Sequence, residues 1–264
     1  MVIKGSYCVI NGQLKPAAEF KEAFIVNGQS VYEVIRVKNQ KPLFLDLHLN
    51  RMARSVQLTG IICPDAQNIR AGIHELIEKS VQNEGNIELV INNSKNWSAR
   101  FIPHNFPTGK DYEKGVKTLI YRATRQNPNA KVKLNDLRKK VGDFISKKSI
   151  YEVIYAHDGI ITEGSRSNIF FIKNNQFYTP PQSQVLQGIT RHVVLEILKK
   201  HNYPIIEEPV KVDGIDQYDA AFLTGTSPGV LPIASIDGLQ FNTQIKVMRS
   251  IMYLFEQCMN QDCA

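Results

Sequence analysis

Two consecutive β-ribbons in the second half of this 264-residue chain constrain its fold more than any other feature. The first ribbon is predicted over residues 151–162 with a turn at Asp158-Gly159, and the second over residues 168–179 with a turn at Asn174-Asn175. Both turns consist of residues that tolerate a positive φ angle, and the segments on either side of each turn are rich in β-branched and aromatic residues. Since helical patterns stand on both sides of these ribbons, we expect an α+β fold.

The remaining hydrophobic patterns predict two α+β units. A helix is expected with Asp46 as its cap and Gly60 as its end, and a second helix opens at Asp65. Residues 92–114 lack strong periodicity and contain two prolines and a glycine, so we expect the first domain to end there. The predicted organisation is an N-terminal α+β domain (1–107), a linker (108–115) and a C-terminal α/β domain (116–264).

Composition argues against several classes of protein. The formal net charge is +7, but Lys and Arg are scattered among acids, which disfavours nucleic-acid binding and suits a small anionic ligand. The longest apolar runs are strand-sized, and the N-terminus lacks a secretory pattern, so we expect no membrane segment. The four cysteines form no CxxC pair or zinc-type cluster, which predicts reduced thiols in a cytoplasmic protein and no metal site.

Two glycine-containing loops in the second half predict an anion site. Gly188 and Ile189 precede an apolar-patterned helix, and Thr190 stands at the expected N-cap. Free amides and the positive dipole end at a helix N-terminus suit a phosphate group. The second loop, residues 224–227, places three hydroxyl side chains around Gly225. Two such loops in one domain predict convergence on one anion.

Five segments of the chain together resemble the class IV aminotransferases, which have fold type IV. They are SVYEVIRV (30–37), LFLDLHLNRMARSVQLTGI (43–61), TEGSRSNIFFI (162–172), QGITR (187–191) and FLTGTSPGVLPI (222–233). The resemblance spans roughly residues 5–240 in correct order and spacing. It implies a two-domain α+β architecture like that of D-amino acid aminotransferase, with the cofactor pyridoxal 5'-phosphate (PLP) bound mainly by the C-terminal domain. It also implies amino acid and 2-oxo acid substrates and a homodimer.

The resemblance assigns cofactor contacts residue by residue. Arg51, in HLNRM, matches the arginine that holds the cofactor phosphate, and Leu186 matches the apolar residue that packs on the pyridine ring. Glu163 matches the acid that pairs with the ring nitrogen. Its carboxylate keeps that nitrogen protonated, so the ring can accept electrons from a Cα carbanion. The other matching positions are Ser167, Asn168, Gly188, Ile189, Thr190 and Thr226.

The catalytic lysine is expected a few residues before Asn135 in NAKVKLNDLRKK. In relatives it precedes that asparagine by three or four positions. The first spacing falls on Val132, which cannot form a Schiff base, and the second falls on Lys131, as in the branched-chain type. Lys133 is the alternative. Such a lysine must be deprotonated to act as nucleophile and general base.

The residues expected to contact the substrate match two different groups of relatives. Tyr32-Glu33-Val34 resembles the D-amino acid type, whereas Arg36 resembles the branched-chain type. His104 matches the histidine of the Arg-x-His trap for the substrate carboxylate, but Ile102 stands where that trap has arginine. Arg100 could replace it if the strand stays extended. The residues expected to face the substrate are Tyr32, Arg36, Arg100, His104 and Ser227.

Two other functions stay open on the sequence alone. The family includes aminodeoxychorismate lyase, but the threonine that relatives use for proton transfer falls on Val34. A non-catalytic PLP-binding or anion-binding homologue would keep the fold without the chemistry. A yellow cofactor band that bleaches on addition of an amino acid would exclude the second alternative.

Overall fold

The computed structural model describes residues 6–20, 30–92, 96–124, 130–132 and 135–263. The chain divides into two compact units. The first unit groups Met1–Asn105, Ala130–Lys133 and Met259–Ala264, and the second groups Phe106–Asn129 and Leu134–Cys258. Residues 130–132 thus cluster with the first unit, and the predicted domain boundaries stay a prediction. Every helix within the described ranges is too short or too polar to span a bilayer.

The first unit is an antiparallel sheet with two helices. The strands are β1 (Tyr7–Ile10), β2 (Gln13–Pro16), β3 (Ser30–Lys38), β4 (Lys41–Pro42), β5 (Glu84–Asn92) and β6 (Trp97–Ile102), and the helices are α1 (Leu45–Thr59) and α2 (Ala66–Ser80). The strand order is β2-β1-β6-β5-β3-β4. Alternation along β3 places Val31, Ile35 and Val37 in the core shared with α1 and α2. The opposite face of the sheet carries the even-numbered residues of β3.

The caps of the first-unit helices follow the sequence prediction in part. Gly60 ends α1 with φ 69°, and Asp65 caps α2 by accepting hydrogen bonds from two backbone amides, so both predictions are confirmed. The predicted cap of α1 at Asp46 is wrong. That helix begins at Leu45 after Phe44, whose φ of 52° is left-handed and whose N–H donates to Asp262 Oδ2 at 2.6 Å. Asp46 lies in the first turn and pairs with Arg70.

The second unit contains a larger, mixed sheet. Its strands are β7 (Val116–Arg122), β8 (Glu152–His157), β9 (Ile160–Gly164), β10 (Asn168–Lys173), β11 (Gln176–Thr179), β12 (Ile205–Glu207), β13 (Val210–Lys211), β14 (Ala220–Gly225), β15 (Gly229–Ile236) and β16 (Leu239–Gln240). The order is β12-β11-β10-β14-β15-β7-β8-β9-β13, with β16 paired to β15. The helices are α3 (Gly109–Lys114), α4 (Asn135–Lys148), α5 (Ile189–Lys200) and α6 (Lys246–Asp262), the last of which ends among residues of the first unit.

Both predicted ribbons are present in this sheet. Strands β8 and β9 pair antiparallel around Asp158-Gly159, and β10 and β11 pair antiparallel around Asn174-Asn175. The predicted α+β class is therefore confirmed. The core next to β10 is aromatic: Phe170 and Phe222 stack at a centroid distance of 5.0 Å, and both are fully buried. The segment predicted as a linker contains α3, which Thr108 and Asp111 stabilise through a capping box.

Candidate active site

Lys131 is held at the edge of the first-unit sheet by its backbone. Its carbonyl accepts from Tyr32 N at 3.0 Å, and its N–H donates to Ser55 Oγ at 3.2 Å. The next residue, Val132, forms an antiparallel bridge with Val31. The Lys131 amine then lies 4.9 Å from the centroid of the Tyr32 ring. The side chain is thus placed beside an aromatic residue on the face of the sheet opposite the helices. Lys133 lies outside the described residues.

Arg51 belongs to a buried cluster that sequence analysis missed. Its Nε donates to Glu33 Oε1 at 2.7 Å, and its Nη2 donates to Glu33 Oε2 at 2.5 Å. His48 Nδ1 lies 2.8 Å from Glu33 Oε2. All three residues are buried, since Arg51, Glu33 and His48 are 3%, 0% and 2% exposed. The signal in the sequence was the odd-numbered position of Glu33, which puts a carboxylate on the apolar face of β3.

The charges of this cluster follow from its contacts. Burial alone would raise the pKa of Glu33, but the Arg51 guanidinium and hydrogen bonds from Arg51 and His48 outweigh it and hold the pKa well below 4.5. Burial lowers the pKa of His48 below 6.5, against the opposing effect of Glu33. His48 is therefore neutral at pH 7, and its Nδ1–H donates to the Glu33 carboxylate. The cluster holds one buried ion pair and one neutral imidazole.

Three of the predicted substrate-facing residues, Tyr32, Arg36 and Arg100, lie on one face of the first-unit sheet. The register places Val34, Glu88 and Arg100 opposite one another across β3, β5 and β6. Strand β6 stays extended through Ile102, so Arg100 and Ile102 lie on the same face, as the sequence argument required. The adjacent rows on this face are Tyr32–Val90–Ser98 and Arg36–Asn86–Ile102. His104 follows the strand and is half-buried.

Glu163 lies at the end of β9 and contacts the loop that precedes α5. Its Oε2 accepts a hydrogen bond from Leu186 N at 3.1 Å, and it is 2% exposed. Asn168, at the start of β10, donates from Nδ2 to Leu186 O at 2.8 Å. The two side chains therefore form hydrogen bonds with both the N–H and the C=O of Leu186. Three residues that the sequence assigned to the cofactor are consequently close together in this unit.

Helix α5 starts with an N-terminus suited to an anion. The N-cap is Gly188, which offers no side-chain hydrogen bond, and Ile189 is the first helical residue. Thr190 was predicted as the N-cap, but it is the second residue of the helix and is buried. A Cβ on Gly188 would collide with Asn168 Oδ1, so only glycine lets the loop approach this close. These features leave backbone amides at a positive dipole end.

The end of β14 and the loop after it carry the second group of hydroxyls. Thr224 is 1% exposed, and its Oγ1 has no hydrogen-bond partner among the described residues. A buried hydroxyl without a partner is costly, and an acceptor such as a phosphate oxygen would satisfy it. Thr226 and Ser227 follow and are half-buried. The uncapped helix and the unsatisfied Thr224 hydroxyl both fit a phosphate-bearing cofactor. The loop was predicted from the sequence, whereas the buried Thr224 hydroxyl is visible only in the fold.

A second buried carboxylate, Glu152, was also missed. It is 1% exposed on β8, and it accepts hydrogen bonds from Ser165 Oγ at 3.3 Å and from the backbone N–H of Arg166. Burial raises the pKa of Glu152, while the Arg166 charge and these hydrogen bonds act in the opposite direction. Glu152 therefore shapes the segment that follows Glu163. A charged residue in an apolar strand was its only signal in the sequence.

Comparison with known proteins places the chain in a family. The model of the family described as amino-transferase class IV matches residues 30–236. D-alanine aminotransferase of Bacillus licheniformis is 29% identical over 229 residues, with 80% of each chain covered. The branched-chain aminotransferase of Thermoproteus uzoniensis has a TM-score of 0.85 at 22% identity, covering 97% of this chain and 95% of its own.

A third relative was solved with a form of the cofactor. This branched-chain amino acid aminotransferase, from T.th., was crystallised with pyridoxamine 5'-phosphate. It has a TM-score of 0.85 at 20% identity, and the match covers 99% of this chain and 96% of that one. The architecture is thus the two-domain fold of the fold type IV aminotransferases. Because the family model covers most of its length, the chain belongs to the class IV aminotransferases, which use PLP to transfer amino groups.

Proposed function

We propose that this aminotransferase reacts through Lys131 and exchanges an amino group between an amino acid and a 2-oxo acid. The observation that carries the proposal is the placement of the Lys131 amine 4.9 Å from the Tyr32 ring, with the lysine backbone fixed to Tyr32 and Ser55. PLP supplies an electrophilic aldehyde and a protonated ring that withdraws electrons from the substrate Cα. The chain must supply a nucleophilic amine, a base and a rigid anion site.

In the first unit, Lys131 acts as nucleophile and then takes the proton from the substrate Cα. A general base of this kind contributes about 10²–10⁴-fold to the rate. Arg51 binds the cofactor phosphate, while the Nε and Nη2 of Arg51 donate to the Glu33 carboxylate. Such a bidentate ion pair limits the rotation of the guanidinium, so its orientation is set before the cofactor binds. The neutral His48 completes the hydrogen bonding of Glu33.

In the second unit, Glu163 keeps the pyridine nitrogen protonated and Leu186 packs against the ring. Asn168 fixes the carbonyl of Leu186, and Ser167 precedes it in the same segment. The amides of Ile189 and Thr190 bind the phosphate at the start of α5, where Gly188 gives them room. Thr226 contributes the second phosphate loop together with the buried Thr224 hydroxyl.

The decisive experiment is reduction of the PLP-loaded enzyme with borohydride, followed by peptide mapping. We expect the covalent adduct on Lys131. Lys131→Ala should abolish the yellow cofactor band and lower transamination by about 10²–10⁴-fold. Lys133→Ala is the matched control and should keep both the band and most of the activity. An adduct on Lys133, or an unchanged Lys131→Ala enzyme, would refute the assignment of the lysine.

Substrate class is tested on the same protein. The relatives named above are aminotransferases for D-alanine or for branched-chain amino acids, and we propose that this chain also uses an amino acid with an uncharged side chain. Tyr32, Arg36, Arg100, His104 and Ser227 are the proposed substrate contacts. A panel of L- and D-amino acids with a 2-oxo acid acceptor decides the enantiomer. Pyruvate release from aminodeoxychorismate without any acceptor would instead support the lyase alternative.

Two further expectations concern the setting of the enzyme. We propose a cytoplasmic protein, because all four cysteines are free thiols. We also propose a homodimer, by resemblance to the family. Light scattering on the PLP-loaded protein measures the second expectation directly, and a monomeric mass with full activity would contradict it.

A further inference from the structure

The turn that carries Thr226 is short and closely packed. Strands β14 and β15 stay paired up to Gly225 and Gly229, so residues 226–228 form the whole connection between them. Gly229 has a φ of 61°, and a Cβ at that position would lie 3.1 Å from Phe255 Cε1. The chain therefore leaves the turn in the left-handed conformation that favours glycine, directly against an aromatic ring.

A side chain from outside this hairpin holds the last residue of the turn. Pro228 is buried, and its carbonyl accepts a hydrogen bond from the Tyr112 hydroxyl at 2.8 Å. Proline has no N–H, so its carbonyl is the only backbone group through which it can form a hydrogen bond. Because a buried carbonyl without a donor is costly, the contact with Tyr112 ties the turn to α3.

The short helix α3, which presents Tyr112, is itself held at both ends. Thr108 and Asp111 form the capping box at its start. Near its end, Arg249 donates from Nη1 to Tyr112 O at 2.6 Å and from Nη2 to Glu113 O at 2.7 Å. The Tyr112 ring also packs against the apolar core of the second unit. The Tyr112 hydroxyl is therefore presented from a fixed support.

We infer that Tyr112 is a positioning residue for the cofactor phosphate and that it acts through the turn that carries Thr226. The inference rests on the proposed phosphate-binding role of that turn. Without the Tyr112 hydroxyl, the buried Pro228 carbonyl must move toward water to recover a donor. Thr226 lies two residues before Pro228 in a three-residue turn, so this movement also displaces the Thr226 hydroxyl.

The test compares PLP with pyridoxal, which has the same ring and aldehyde but no phosphate group. The apoprotein is titrated with each compound, and the yellow band gives the two affinities. Tyr112→Phe removes only the hydroxyl and should weaken PLP binding by about three- to tenfold, with the affinity for pyridoxal unchanged. Tyr253→Phe removes the same group from a tyrosine of α6 that is 63% exposed, and it should change neither affinity.

A second variant determines whether Tyr112 acts through the turn. Thr226→Val keeps the branched shape, removes the hydroxyl and should weaken PLP binding by itself. Tyr112→Phe should then cause a smaller loss in the Thr226→Val protein than in the wild type, because coupled residues do not act additively.

Three results would overturn the inference while the proposed phosphate-binding turn stands. They are an unchanged PLP affinity in Tyr112→Phe, an equal weakening of PLP and pyridoxal, and additive losses in the double variant. A wild-type affinity for PLP in Thr226→Val would instead contradict the proposed phosphate role of the turn, and the inference would fall with it.

Discussion

Each of the two units holds its own proposed cofactor contacts by a different physical means. In the first unit, Arg51 is oriented by an ion pair with Glu33 inside the core, where neither residue is more than 3% exposed. In the second unit, the proposed anion site consists of backbone amides and hydroxyls, and its position depends on the Asn168 contact to Leu186 and on the bare Cα of Gly188. The first arrangement depends on the balance of two buried charges, and the second depends on the close approach of the Gly188 backbone to Asn168.

This difference determines which changes each unit tolerates. A buried ion pair contributes little net stability, yet removing one partner leaves an uncompensated charge in the core. The backbone amides at the start of α5 carry no such charge, but an added methyl group at Gly188 would displace the atoms around them. We therefore expect charge-removing variants to act most strongly in the first unit, and size-increasing variants to act most strongly in the second.

The largest effect is expected from Glu33→Leu. It leaves Arg51 buried without its carboxylate and should lower the free energy of unfolding by about 3–5 kcal/mol, measured by urea denaturation. Glu33→Leu/Arg51→Met removes both charges and should recover most of that loss. Its affinity for PLP should stay low, because the proposed phosphate ligand is missing. Recovery of stability together with wild-type PLP affinity would show that Arg51 is structural only.

The next largest effect is expected from Gly188→Ala. The new Cβ collides with Asn168 Oδ1, so either the Asn168 amide, which donates to Leu186 O, or the start of α5 must shift, at a cost of about 1–3 kcal/mol, and PLP should bind more weakly. Titration of the apoprotein with PLP and thermal unfolding measure the two effects. Gly142→Ala is the control, since it adds a methyl group to α4 where nothing lies within 4 Å. It should stabilise the helix by about 0.5–1 kcal/mol. Equal changes in PLP affinity and in thermal unfolding for the two variants would contradict the steric explanation.

The same contrast explains how much of the molecule the sequence could predict. The ribbons, the Asp65 cap and the glycine loop before α5 depend on neighbouring residues, and each was recognisable from a short segment. The start of α1 was not, because Phe44 N donates to a carboxylate on Asp262, 218 residues away. The Thr190 cap was wrong because the tight turn at Gly188 brings the helix start forward by two residues.

The buried charges were harder to predict than the loops. Glu33 and Arg51 are separated by 18 residues, and their pairing depends on how α1 packs on β3. Nothing in a single segment shows that Glu33 finds a cation there. Similarly, Glu152 stands in an apolar strand, and its partners come from the turn that follows β9. The family resemblance assigned Arg51 and Glu163 to the cofactor, but the residues that hydrogen-bond to them became visible only in the fold.

A smaller effect, in the first unit, concerns the acid sensitivity of His48. Its pKa is lowered in the folded state, so below pH 6.5 the unfolded chain binds a proton that the folded chain does not, and stability falls. Glu33, whose folded pKa is also lowered, adds a further loss only as the pH falls below 4.5. His48→Gln keeps a donor for Glu33 and should flatten the decline in Tm between pH 6.5 and 4.5. An unchanged slope would mean that His48 does not titrate in unfolding.

The smallest effect should have the opposite sign and belongs to the second unit. Burial raises the pKa of Glu152, so above pH 4.5 the unfolded chain releases a proton that the folded chain retains until its own higher pKa, and stability falls as pH rises. Glu152→Gln can still accept from Ser165 and Arg166 without this dependence, so the Tm of the variant relative to that of the wild type should rise with increasing pH. Glu196→Gln, on the exposed side of α5, is the control for the loss of a carboxylate that is not buried. A Glu152→Gln protein that instead loses stability as pH rises would mean that this carboxylate folds in its charged form, like Glu33, and the electrostatic contrast between the two units would disappear.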